Sequence, residues 1–286
     1  MKSLAIESCD MSFEAMIAQA RLGGSVDVNA GWGQGRALFG GLLGALVVAH
    51  LEGKLGQQGM SLNANSPVLR ALTISFVAPV EVGTLEMSSE ILRAGKSVIQ
   101  ISCTLRQNQQ IVLSALASFG AARQSSVVVE ALPAPQIGEA GSGNSFPYIE
   151  GVIPEFTRMI DFRYTGCNLP FSHAKTSHID GWMRWSEAAG ITSDAPRLVD
   201  LVALIDAWPP AILQMLGKPS PASSLTWTLE FPAIDDAILS SKKNPWWQYR
   251  AQTESAQNGY GHIATHIWRD DGKLVAISRQ TVTVFG

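Results

Sequence analysis

The stretch LVDLVALIDAWPPAILQM, residues 198 to 215, carries apolar residues at helical spacing and one carboxylate, Asp206, set among Val202, Leu204, Ile205 and Trp208. No Lys or Arg from 198 to 217 stands ready to neutralise it. A buried carboxylate is costly unless it is hydrogen-bonded, paired or protonated, so its presence asks for a reason. One reason is a polar group held in a cleft, where it orients or activates a water. The other is a helix edge beside Pro209 and Pro210, where missing amide hydrogens and ring clashes kink the chain and expose the side chain.

A second polar residue answers to the same helix. In the final strand Leu274, Ala276, Ser278, Gln280, Val282 and Val284 share one largely apolar face, and Val275, Arg279, Thr281 and Thr283 share the other. Gln280 is therefore expected to point toward the helix. Ser224 opens the strand in PASSLTWTLEF, yet alternation groups it with Thr226, Thr228 and Glu230, opposite Leu225, Trp227, Leu229 and Phe231. Ser224, or its neighbour Ser223, reaches the helix only if the alternation loosens at the strand end, and a surface or turn-capping serine is the competing reading.

Other constellations fail on geometry. His262 and His266 sit in GHIATHIW, which reads as a strand, so they lie about 13 Å apart and cannot share one metal. No Gly-x-Ser-x-Gly elbow occurs. GWGQGRALFGG lacks the third glycine and the preceding strand of a dinucleotide loop. Gly40, Gly41 and Gly44 each weaken a helix by about 1 kcal/mol relative to Ala, so they mark either close packing of helix on sheet or the approach of a ligand to free amide hydrogens at the helix start.

The elements that must position these residues occur twice. The first half reads as a glycine-rich loop, a helix from about Leu38 to Leu55, and strands VLRALTISFVAPV, GTLEMSSEILRAG, SVIQISCTLRQN and QIVLSALASFG. After lead-in strands near TRMIDFRYTG and SHIDGWMRWSE, the second half gives a helix from about Pro196 to Leu216 and strands SSLTWTLEFPAI, WWQYRAQTESAQ, YGHIATHIWRD and KLVAISRQTVTVF. ISFVAPV lies over LEFPAID and QIVLSALASF over KLVAISRQTV, which sets Ala117 against Gln280. Between the halves, residues 122–154 are rich in Pro, Gly and Ser and read as a connector. The expected division is 1–121, a linker at 122–154, and 155–286 with the polar site. The expected fold class is α+β, with a central helix wrapped by a bent antiparallel sheet in each of two repeats.

The chain of 286 residues is 46% hydrophobic and 16% charged, with 21 basic and 24 acidic residues scattered along it, which gives no footprint for nucleic acid. Three widely spaced cysteines, Cys9, Cys103 and Cys167, argue against a disulfide framework or zinc cluster and fit a reducing, cytoplasmic setting. The amino terminus lacks a continuous apolar core, and ALFGGLLGALVVA is too short to span a membrane.

LFGGLLGAL in the first helix, DAWPPA in the second, SLTWTLEFP after it and DDGKLVAISRQTVTVF at the end, in this order, resemble the double-hotdog acyl-CoA thioesterases of the bacterial thioesterase II group. The resemblance covers most of 20–121 and 155–286. It implies a double hotdog that hydrolyses acyl-CoA without metal or cofactor. In that family an Asp, a Thr or Ser and a Gln jointly hold the attacking water, which carries the roles onto Asp206, Ser224 and Gln280. Asp206 would serve as general base or water anchor, while a backbone N–H at a helix start, where Gly40 and Gly41 lie, would polarise the thioester carbonyl. The Trp-Pro run after Asp206 departs from the best-known members and bears on substrate range. Sheet edges suggest a homodimer. The alternatives are a protein that binds acyl-CoA or lipid without turnover, and a hydratase, which would need a catalytic His; the first helix offers only His50, near its end and without an acidic partner.

Overall fold

The computed structural model describes residues 12–60, 67–146, 148–232 and 242–285. Cys9, most of the amino-terminal segment and Ala233–Asp235 of the repeat comparison lie outside them. Helix α1 (Phe13–Leu22) was not anticipated; Ser12 Oγ caps it by accepting from the Ala15 N–H, and Phe13, Met16, Ile17 and Ala20 form its buried stripe. Strand β1 (Gly24–Val28), the short hairpin β2 (Gly33–Gln34) and β3 (Ala37–Leu38), and helix α2 (Gly40–Gln57) follow. The first half ends with β4 (Val68–Phe76), β5 (Gly83–Ala94), β6 (Val98–Gln107) and β7 (Gln110–Gly120). The second half contains β8 (Ile160–Tyr164), β9 (His178–Trp185), helix α3 (Leu198–Ile205), β10 (Ala222–Glu230), β11 (Trp247–Gln257), β12 (Tyr260–Arg269) and β13 (Leu274–Val284).

All but β2 and β3 join one antiparallel sheet in the order β1-β5-β6-β7-β4-β10-β13-β12-β11-β9-β8, so each half contributes a contiguous block. The blocks meet at β4 and β10 in a reciprocal register. Leu72 faces Leu229 and Ile74 faces Trp227, as a two-fold exchange of Leu72 with Trp227 and Ile74 with Leu229 requires. The same exchange equates Ala117, the β7 partner of Leu72, with Gln280, the β13 partner of Trp227. That is the correspondence expected from the sequence.

Helix α2 is buried from Gly41 through Leu51, as its apolar character on every side demands. Several of its glycines admit neighbours that a side chain would exclude, and two of these set how α2 packs on α3 and on the sheet. A Cβ on Gly41 would stand 2.3 Å from the Ala203 carbonyl oxygen of α3, and one on Gly44 would stand 2.7 Å from the Trp227 ring on β10. Close packing of α2 on α3 and on the sheet is therefore the reason for Gly41 and Gly44.

The second helix is much shorter than the expected 196–216. It stops at Ile205, and a separate 3₁₀ turn spans Ala211–Met215. The Ala207 N–H already bonds back to the Leu204 carbonyl, and Pro209 and Pro210 offer no amide hydrogen to continue the ladder. Asp206 thus lies at the carboxy-terminal cap of α3 rather than along its length. The apolar spacing runs on past the break because the 3₁₀ turn buries Ala211, Ile212 and Leu213 in its own right.

The connector forms no strand of its own among the described residues but is tied to the second-half sheet. Trp268 Nε1 donates to the Leu132 carbonyl at 2.9 Å, and Asn144 exchanges backbone bonds with Tyr164 at 2.9 and 2.8 Å. Among the described residues no helix is long and apolar enough to cross a membrane.

Candidate active site

The end of α3, the start of α2 and the strands β4, β10 and β13 enclose a cavity of about 350 Å³. Asp206, Gln280, Ser224 and Gly40 all line it, and the rest of its wall is mostly apolar, including Leu38, Leu43, Phe76 and Trp208. Asp206 is the one ionisable side chain among the described residues that line it. The exposed-edge reading of Asp206 is thereby corrected. The helix does break there, but the carboxylate turns into a cleft.

Each group reaches the cavity for a local reason. Asp206 is aimed by the α3 terminus, with φ −88° and ψ 1°, just where the chain leaves helical geometry. Gln280 comes from the buried face of β13, together with Ala276, Ser278 and Val282, as alternation requires. Ser278 on that face accepts a 2.9 Å hydrogen bond from Trp227 Nε1. Ser224 arrives by a route that strict alternation conceals. A β-bulge between Ser224 and Thr226 leaves Leu225 unpaired, so Ser224 faces Val282 while Trp227 faces Gln280. Val282 and Gln280 lie on one side of β13, and the bulge therefore returns Ser224 to the side of Trp227.

Gln280 Nε2 donates a hydrogen bond to Asp206 Oδ1, joining β13 to the α3 terminus. The Gly41 backbone N–H, at the start of α2, donates to the same carboxylate. That amide is one of the unpaired donors at a helix amino terminus, where negative charge is favoured. The structure thus gives Gly41 a carboxylate partner, whereas Gly40 borders the open space directly. A Cβ on Gly40 would stand 2.6 Å from Asp206 Oδ2 and 3.2 Å from the Phe76 ring, so glycine there keeps this oxygen uncovered.

Burial in this mostly apolar wall raises the Asp206 pKa to about 7, against the opposing pull of the Gln280 amide and the Gly41 N–H. A carboxylate poised near neutrality is suited to accept a proton from water. Gln280, with its amide hydrogen on Asp206, keeps a carbonyl oxygen as a further acceptor, and Ser224 adds a hydroxyl. Two acceptors and a hydroxyl around one small space are what a held water needs.

Other polar residues take structural duties. His50 is 7% exposed, with Nδ1 3.3 Å from the Ala20 carbonyl and Nε2 3.0 Å from Ser89 Oγ, and it does not line the cavity. Burial lowers its pKa. This placement gives a His-based hydratase reading no support. His262 and His266 both lie on β12. A larger void of about 660 Å³ beside β2 and β3 meets the cavity at Ala37 and Leu38, but its charged residues, Arg36, Glu81 and Glu155, are exposed and it contains none of the convergent polar groups.

The comparisons with known proteins bear on the fold and the family. The chain aligns over 92% of its length, and 92% of the other chain, with a protein of unknown function with a hotdog fold from Alicyclobacillus acidocaldarius, at 22% identity and a TM-score of 0.76. It aligns over 96%, and 98% of the other chain, with a tesB protein of Mycobacterium avium subsp. paratuberculosis at 18% identity and a TM-score of 0.71. An acyl-CoA thioesterase II from Mycobacterium marinum matches over 87% of this chain and 90% of its own, at 17% identity and a TM-score of 0.66. These likenesses establish a hotdog fold. No curated protein sequence matches the chain significantly. Residues 28–120 match the family model of the acyl-CoA thioesterase N-terminal domain, and residues 129–284 match that of the C-terminal domain. Since those two matches take in every strand of the large sheet but β1 and every residue that converges on the cavity, the chain belongs to the acyl-CoA thioesterase family.

Proposed function

We propose that the protein hydrolyses acyl-CoA thioesters to free acid and coenzyme A through a water held by Asp206, Gln280 and Ser224. The observation that carries this reading is the contact between Gln280 and Asp206 inside an otherwise mostly apolar cavity. Ionised Asp206 accepts a proton as the water oxygen attacks the thioester carbonyl carbon. The carbonyl becomes an oxyanion, which the backbone amide hydrogen of Gly40 at the α2 start stabilises in this mechanism. Collapse of this intermediate breaks the C–S bond, and the proton on Asp206 returns to the departing thiolate. Gln280 acts by orienting the carboxylate and the water, and Ser224 by a further hydrogen bond to that water.

We assign residues 1–121 and 155–286 to the two units of a double hotdog, with 122–154 as the linker. The reciprocal β4–β10 register supports that assignment. The terminal position of β1 and β8 in the sheet order supports a homodimer, to be read from light scattering. A cytoplasmic location accords with unpaired Cys103 and Cys167.

Thiol release from a panel of acyl-CoAs tests the reaction. Release well above the uncatalysed rate is the expected result. A protein that binds acyl-CoA without turnover would shift its melting temperature with ligand yet release no thiol.

A further inference from the structure

The cavity that holds Asp206 is graded from rim to floor. Gln34, Val77, Pro79, Ser223 and Leu225 are exposed, whereas Leu38, Leu43, Trp208 and Leu213 are buried. Trp208 is the largest of the buried group. Its indole stacks on Tyr249 with ring centroids 5.2 Å apart and planes at 16°. Tyr164 and Phe162 meet it edge-on at 4.8 and 5.1 Å. Its Nε1 donates to Met183 Sδ at 3.1 Å, a weak acceptor. Behind the ring, β9 carries Gly181, where a Cβ would stand 2.5 Å from Trp208 Cη2. A single indole therefore separates the space beside Asp206 from a second apolar region of aromatic rings and a thioether.

The volume limits what fits in front of that ring. A cavity of about 350 Å³ has room for the thioester, the attacking water and a limited stretch of acyl chain. A longer chain leaves by the rim, passes Ala37 and Leu38 into the adjoining void, or runs into the buried floor beside Asp206, and on that last path each further methylene has to displace the indole to gain burial.

We infer that Trp208 sets the acyl-chain limit of the site where the chain runs into its buried floor, and that removing the indole deepens the cavity by the volume of the ring, as far as Tyr249, Tyr164 and Met183. The inference rests on the hydrolase reading for its substrate, and it names a specificity residue rather than a catalytic one. The Trp-Pro run that sets this chain apart is thereby given a task.

The test is a ladder of straight-chain acyl-CoAs, from butanoyl to hexadecanoyl, given to the full-length wild type, Trp208→Ala and Trp208→Phe. The ratio of kcat/KM for dodecanoyl-CoA to that for hexanoyl-CoA should rise about tenfold or more in Trp208→Ala, with Trp208→Phe between it and wild type. A ratio unchanged within about twofold in a folded variant overturns the inference, because specificity is read as the ratio and general loss of activity cancels. If Trp208→Ala does not fold, the change in ratio for Trp208→Phe decides alone. If wild type releases no thiol from any chain, the hydrolase reading fails, and the same ladder is then read by melting-temperature shift. A length cutoff that lengthens in the variants retains the Trp208 assignment, and no cutoff, or one indifferent to Trp208, overturns it.

Discussion

Gln280 on β13 and Asp206 at the α3 terminus are 74 residues apart in the chain and bonded through Nε2 and Oδ1. Gln280 holds the carboxylate from the sheet, and Gly41 holds it from α2. The pair fixes a base in a cleft while lowering a pKa that burial has raised.

Activity should follow the ionisation of Asp206. With its pKa pushed up to about 7, kcat/KM should rise through neutral pH and level off above it, since the base acts only when deprotonated. Gln280→Ala removes a donor that favours the charged form, so the ascending limb should move to higher pH while the plateau falls about 10²-fold. A profile in which the variant keeps the wild-type limb would separate Gln280 from the ionisation of Asp206.

Stability should respond to pH in the opposite sense. The folded-state pKa of about 7 lies above the ordinary value of 3.8, so the contribution of Asp206 is fully present below about pH 4 and is lost as pH rises through about 7. Asp206→Asn removes this dependence. Relative to the variant, wild type should lose melting temperature between those pH values, and parallel melting curves would count against the raised pKa.

The α2 glycines should divide by task. Gly40→Ala places a methyl against Asp206 Oδ2 and should lower kcat/KM about 10²-fold at small cost in melting temperature. Gly44→Ala pushes on the Trp227 ring and should destabilise by about 1–3 kcal/mol, offset in part by a helix-propensity gain of about 1 kcal/mol. Denaturant melts and thiol release on both variants show whether the two effects separate in this way.

Ser224→Ala should reduce kcat about two- to tenfold, the size expected for one neutral hydrogen bond to water. A loss as large as that of Asp206→Asn would make Ser224 a principal participant instead.

Much of this site was legible in the sequence because Gln280 lies on a regular strand, where alternation alone fixes its side, and because Asp206 stands out against apolar neighbours without a cation. Ser224 stayed ambiguous because the bulge at Leu225 adds one residue to β10, and period-two patterning carries no mark of such an insertion. The length of α3 was overestimated because the 3₁₀ turn at Ala211–Met215 buries apolar residues at spacing that a helix would share. Helix α1 and strand β1 escaped notice in a short amphipathic stretch with a weak pattern. The partner of Gly41 was hidden as well, since a backbone amide leaves no trace in residue type.

The most direct measurement is thiol release at pH 8 by wild type and Asp206→Asn, with circular dichroism on both. Asn fills the same space and retains hydrogen-bonding capacity but cannot accept the proton. An unchanged fold with kcat/KM lowered about 10³-fold is the predicted result. Turnover equal to wild type in a folded Asp206→Asn protein would contradict the account, whatever else the cavity binds.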